Sequence, residues 1–192
     1  YALAQTHLLF ALGETANADL GTQAQITADL SLANQALGKR ERAMSLAQSA
    51  VALAEQAREP RVLGQAYNLL GMVGAGDDTD EAMINLGRAR QIAEDLDDTD
   101  LIIAVLNNLA LAHRRRGALD QALELTTRAL ELCGRLGDRH HEAALHNNLA
   151  DLLQASGRGE EAMVHLKAAA RIFTDIGVEE QPHPEIWKLV RW

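Results

Sequence analysis

The residues of this chain best suited to recognition chemistry are asparagines and arginines. Asn107 and Asn108 return forty positions later as Asn147 and Asn148, and Asn68 stands forty positions before Asn108. A carboxamide is both donor and acceptor, so a row of them can satisfy the N–H and C=O groups of an extended peptide without demanding a particular side chain. The same groups can instead tie neighbouring elements of the protein together. Arg114, Arg115 and Arg116 form the dense basic run. It suits a carboxylate, or simply a helix C-terminus, where positive charge is stabilising. His140, His141 and His146 lie near one another, but neither an HExxH pattern nor paired cysteines accompany them, so no metal is expected. Cys133, the single cysteine, lacks an evident activating partner. The acidic runs at 77–81 and 95–100 lack the glycine turn and terminal glutamate of a calcium loop. Gly71, Gly74 and Gly76 precede no Gly-Lys-Ser/Thr step, so they make no phosphate loop. With no catalytic constellation, neither enzyme activity nor a cofactor is expected.

The elements that must position these residues come in copies. Asn107-Asn108-Leu109-Ala110, Gly117 and Leu119-Asp120-Gln121-Ala122 are echoed by Asn147-Asn148-Leu149-Ala150, Gly157 and Gly159-Glu160-Glu161-Ala162. Earlier copies hold Asn68, Leu69, Asp80, Glu81 and Ala82, then Asp29, Leu30, Gly38, Arg42 and Ala43. Recurrence at 39 or 40 residues means stacked copies of one supersecondary unit. Within a copy the apolar residues fall three or four apart, as in Leu101, Val105, Leu106, Leu109 and then Leu119, Ala122, Leu123, Ala129, Leu130. That is the helical period, twice per copy. Gly38, Gly117 and Gly157, with Gly76-Asp77-Asp78 in the second copy, mark the breaks; glycine there ends one helix and an Asp or Thr just after it is expected to cap the next. Pro60 suits a first helical turn. Ala43, Ala82, Ala122 and Ala162 are small so that the second helix of a pair can lie close against the first. Gly64, Gly71 and Gly74 share one helical face, either because a neighbouring helix approaches there or because a groove is hollowed for a ligand.

Composition narrows the partners. With 192 residues and 47% apolar content, the chain can bury a sizeable core. Aromatics are only 3%, and the dominance of alanine and leucine favours close-packed helices over sheet. The net charge of −9 opposes nucleic acid and anionic membrane, both of which need a basic face. One cysteine permits no intrachain disulfide and fits a reducing cytoplasm. No stretch reaches the roughly 18 apolar residues of a membrane-spanning helix. The chain begins at Tyr1 rather than methionine, as a trimmed product or a piece of something longer would.

The pattern resembles the tetratricopeptide repeat family from about Leu20 to Gly177. Leu30, Leu69, Leu109 and Leu149 match the leucine of the family's first helix, the four alanines the small residue of its second, and Gly117 and Gly157 its turn glycine. Departures exist. The family period is about 34, its aromatic positions hold Leu106 and His113 or His146 and Leu153, and Gly134 and Thr174 replace its proline. Longer, aromatic-poor repeats look like the type found in bacterial multidomain regulators. HEAT-type repeats share the length but match the glycine turn less well.

The resemblance implies an all-α superhelix, a solenoid of antiparallel helix pairs, acting as a protein-interaction scaffold. The expected organisation is a single helical-repeat domain: an unpaired helix at 1–19, repeats at 20–58, 59–98, 99–138 and 139–177, and a capping helix at 178–192. In the family the first helices line a concave groove. Carried over by position, Tyr67, Asn68, Asn107, Asn108, Asn147 and Asn148 fall on that surface, with Arg114 and Arg115 projecting toward it. The expected partner is a protein or peptide. The apolar face of the first helix, with Leu3, Leu8, Leu9, Phe10 and Leu12, is expected to pack on an upstream segment or to form a homodimer. The alternative role is a regulatory or oligomerisation segment of a larger signalling ATPase, cyclase or transcription regulator.

Overall fold

The computed structural model describes residues 19–75 and 79–177. The expected N-terminal helix, the Gly76-Asp77-Asp78 turn and the expected C-terminal cap lie outside the described residues. Those residues form eight helices and no strand, in two compact units that divide between Asp98 and Thr99. The first unit holds α1 (Leu20–Ala36), α2 (Arg40–Ala57), α3 (Pro60–Gly74) and α4 (Thr79–Asp95). The second holds α5 (Thr99–Arg115), α6 (Leu119–Leu136), α7 (Arg139–Ala155) and α8 (Gly159–Asp175). In each unit consecutive helices pack as pairs, and the second helix of one pair packs on the first helix of the next.

The turn inside a pair is the same device three times. Gly38, Gly117 and Gly157 have φ of +73°, +75° and +76°, a conformation that costs glycine nothing. Each glycine N–H bonds back three residues, to Gln35, Arg114 and Gln154, and the following N–H bonds back five, to Asn34, His113 and Leu153. This double bond pattern satisfies carbonyls left over at the helix end. At these three turns no Asp or Thr caps the next helix. The N-cap residues are Lys39, Ala118 and Arg158, without side-chain caps. Each lends its N–H to the outgoing helix while its carbonyl accepts from Ala43, Ala122 or Ala162 of the incoming one. One residue therefore serves both helices, and its backbone is fixed by the glycine turn. Side-chain capping appears instead at the starts of α1 and α7, where Asp19 and Asp138 accept from Thr22 and His141 N–H at 2.9 and 3.1 Å. Pro60 opens α3.

Small residues let the helices close. Ala43, Ala47, Ala50 and Ala54 form a fully buried stripe on α2, and Ala82, Ala122 and Ala162 are buried at the equivalent places. At Gly71 an added Cβ would lie 2.6 Å from Leu86 Cγ and 2.9 Å from the Ala82 carbonyl oxygen. Close approach of α3 and α4 accounts for this glycine. Gly74 has a Met44 methyl 3.3 Å from where its Cβ would be. A buried Ser31 hydroxyl adds a tie, donating to the Ala43 carbonyl at 2.7 Å.

Candidate functional site

In the second unit, α5 and α7 are the first helices of successive pairs, and polar side chains meet along their seam. Asn148 Nδ2 donates to Asn107 Oδ1 at 2.7 Å. About two turns further along α5, Arg114 Nη1 lies 3.5 Å from Asp151 Oδ2, with both side chains about two-fifths exposed. The seam thus runs from a dry amide pair to a wet ion pair. Asn107 is fully buried, and its Nδ2 has no hydrogen-bond acceptor among the described residues. A buried donor left so costs about 1–3 kcal/mol.

Burial separates the expected groove residues into two groups. Asn68, Asn107, Asn108 and Asn148 are buried. Tyr67 and Asn147 are half-buried, and Arg114 and Arg115 are exposed. In the first unit, Tyr67 reaches both second helices that flank α3. Its hydroxyl donates to Glu55 Oε1 of α2 at 2.9 Å, and Arg88 of α4 sits over its ring, 5.4 Å from the centroid. Burial and the Glu55 carboxylate raise the phenol pKa, so the tyrosine stays neutral and donating. Asn107 and Asn147 occupy the equivalent register in the second unit, where one is tied to α7 and the other is half-buried.

The histidines divide differently from the sequence grouping. His141 Nδ1 lies 2.8 Å from Asp138 Oδ2 as part of the α7 cap. His113 is half-buried, and burial followed by the Arg116 charge holds its pKa below the ordinary value. His146 meets His165 of α8, with the two Nδ1 atoms 2.8 Å apart. His165 carries no repeat signature. It could have been found by folding the sequence back at the Gly157 turn, since His146 stands 11 residues before that glycine and His165 stands 8 after it in an antiparallel pair. No His, Cys, Asp and Glu cluster among the described residues is arranged to hold a metal ion. Cys133 is buried, its thiol donating to the Asp138 carbonyl at 3.3 Å across the α6–α7 turn. Among the described residues no helix is long and apolar enough to cross a membrane.

Comparison with known proteins agrees with this architecture. Residues 101–175 match the family model for the tetratricopeptide repeat. No curated protein matches the sequence. Among solved structures, BtubC from P. vanneervenii superposes with a TM-score of 0.70 at 20% identity, covering 93% of this chain and 74% of that one. The signal transduction ATPase with numerous domains from Pyrococcus horikoshii, which has a tetratricopeptide repeat sensor, gives 0.73 at 16% identity. That match covers 82% of this chain, which spans only 24% of the ATPase. A Podosopora anserina protein of nearly identical TPR-like repeats gives 0.62 at 20% identity, covering 91% and 88%. At these identities the likeness is one of fold. Together with the paired helices and their glycine turns, it gives this chain a tetratricopeptide-like fold of helix pairs, and the family's own repeat is matched over residues 101–175.

Proposed function

We propose that the chain is a protein-interaction scaffold and that the α5–α7 seam of its second unit receives an extended peptide. The observation that carries this reading is the succession of Asn148–Asn107 and Arg114–Asp151 along two adjacent first helices. The half-buried Asn147 would satisfy peptide N–H and C=O groups, with Asn148 exchanging its bond to Asn107 for the ligand. Arg114 and Arg115 would take one acidic side chain or the terminal carboxylate, with Arg114 exchanging Asp151 for the ligand. An exposed ion pair is worth only about 0–1 kcal/mol, so the exchange costs little. The net charge of −9 disfavours a strongly acidic peptide, so the partner segment is neutral or basic apart from that carboxylate. In the first unit Tyr67 and Asn68 hold the corresponding register. With Tyr67 engaged by Glu55 and Arg88, that unit offers the weaker surface.

Selection from a displayed peptide library on the intact chain tests this. Enrichment of a shared motif, lost in an Asn147→Ala, Arg114→Ala double variant of unchanged helicity, supports the reading. An identical motif enriched by both proteins would move the surface elsewhere.

A second reading is favoured by the likeness to the sensor-bearing ATPase: the array is the regulatory segment of a larger signalling protein. A nucleotide-binding domain encoded upstream in the same gene product would favour it, and a free-standing product would favour the adaptor.

A further inference from the structure

The α7–α8 hairpin closes over two apolar clusters, with one polar contact between them. Toward the Gly157 turn lie Leu149, Ala150, Leu153 and Ala162. Toward the far end lie Ala143, Ala169, Ile172 and Phe173. His146 and His165 stand in sequence between these groups on their respective helices. We propose that the two imidazoles form a proton-sharing clasp that holds the hairpin shut at neutral pH and releases it in acid.

The geometry argues for a shared proton. The ring centroids are 5.1 Å apart and the rings tilt by 33°. That separation equals the 2.8 Å between the Nδ1 atoms plus the two ring radii, so the nitrogens face each other head-on. Two imidazoles bound to one metal ion at about 2.0–2.1 Å in tetrahedral geometry would hold their nitrogens more than about 3 Å apart, wider than this contact. A head-on contact at this distance instead requires one Nδ1 to carry hydrogen and the other to present its lone pair. The neutral pair fixes opposite tautomers on the two histidines.

Acid acts on this pair in two unequal steps. The first proton from solvent enters at Nε2 of the donor imidazole. The Nδ1–H···Nδ1 bond survives it and becomes charge-assisted. A second proton has only the acceptor Nδ1 left to enter on that side, which puts two N–H groups and two positive charges face to face. The bond is then lost. Among the described residues, the charges acting on the pair come from its own two helices; after burial, His165 is the next cause holding the His146 pKa down. Glu142 favours charge on His146 and Arg139 opposes it; Glu161 favours charge on His165. Both carboxylates already hold arginines, Glu142 with Arg139 at 2.6 Å and Glu161 with Arg158 at 2.6–2.7 Å. From α6, Leu123 and Leu130 pack against the cluster on the turn side and bring no charge. Burial, the larger cause in each case, holds both imidazole pKa values below the ordinary 6.5. The folded form therefore binds fewer protons than the unfolded one. The clasp's stabilisation is complete above about pH 6.5 and declines as pH falls through the folded values.

Nitrogen-15 NMR of the imidazoles in the full chain, titrated from about pH 8 to about pH 5, reads this directly. The expected result is one Nδ1–H and one Nδ1 lone-pair tautomer at the top of the range, then two titration steps separated by about one pH unit or more. The later step should coincide with loss of amide-exchange protection in α8. His165→Gln should remove the later step and leave His146 with a single titration. Wild-type spectra decide even if that variant fails to fold: two imidazoles titrating together at an ordinary midpoint, with α8 protection unchanged, overturn the proposal.

Discussion

The two units are built from the same helix-pair repeat, yet they use its equivalent positions differently. In the first, the register of Asn107 and Asn147 is held by Tyr67, which Glu55 and Arg88 engage from the two flanking second helices. Gly71 then lets α3 and α4 close until a methyl group would collide. In the second, the same register carries amides, and the first helices meet through polar pairs. The exits between pairs differ as well. Arg58 and Asp97 take positive φ of 57° and 50° in the first unit, where Gly137 and Gly177 take 71° and 76° in the second. The contrast separates two jobs within one repeat. Alanines and turn glycines set the helix spacing, and the residues on the first helices differ between the units in what they contact.

Substitutions can break that contrast, and the largest effect is expected at Gly71. Gly71→Ala places a methyl against Leu86 and the Ala82 carbonyl, and overpacking of this kind costs about 1–3 kcal/mol. Helix propensity returns up to about 1 kcal/mol. Denaturant unfolding should show a net loss carried by the first unit, while Gly134→Ala, which meets nothing within 4 Å, should be neutral or slightly stabilising.

Asn148→Ala comes next. It leaves the buried Asn107 Oδ1 without its donor, for about 1–2 kcal/mol, and should lower hydrogen-exchange protection in α5 and α7 with α3 unaffected. Asn148→Asp, which also removes the donor and adds a charge, should be worse by the same measurement.

Asp97→Gly runs the other way. An L-residue in the left-handed region carries a cost of about 1–2 kcal/mol, less for aspartate, so removing it should raise stability by roughly 0.5 kcal/mol after the added chain entropy of glycine. The reverse change, Gly137→Asp, should lower it, and paired thermal melts compare the two.

The smallest effect belongs to Arg114→Ala. With both partners exposed, losing the Asp151 pair should shift stability by about 0–1 kcal/mol, and that shift should vanish in high salt. A large or salt-independent loss would mean that Arg114 supports the fold instead of presenting a surface.

The helix pairs were legible in the sequence because their determinants are local. A glycine at a fixed distance before an alanine is enough to place a turn and the helix that follows it. Capping was misread because a turn this tight shares one residue between two helices, so the backbone conformation of Lys39, Ala118 and Arg158 is dictated by the preceding glycine. The polar ties were less visible. Asn107 bonds Asn148, 41 residues away, not its 40-residue equivalent Asn147. Contacts along the seam are 41 residues apart at Asn107–Asn148 and 37 apart at Arg114–Asp151, because a repeat alignment pairs equivalents rather than the side chains that face one another. His165 escaped for a related reason, since its partner lies across the hairpin and no periodicity joins them. The choice between a hollowed groove and close helices at Gly71 rested on a distance that no sequence carries.

The central claim is that the second unit, through the α5–α7 seam, is the interacting surface. Backbone and side-chain shift mapping of the intact chain with a library-selected peptide measures it most directly. The account predicts perturbations concentrated at Asn147, Asn148, Arg114 and Arg115, with the Asn148 carboxamide protons among the most affected and the second helices α6 and α8 quiet. Perturbations confined to the first unit, or to exposed apolar residues of α8 such as Met163 and Val164, would contradict it.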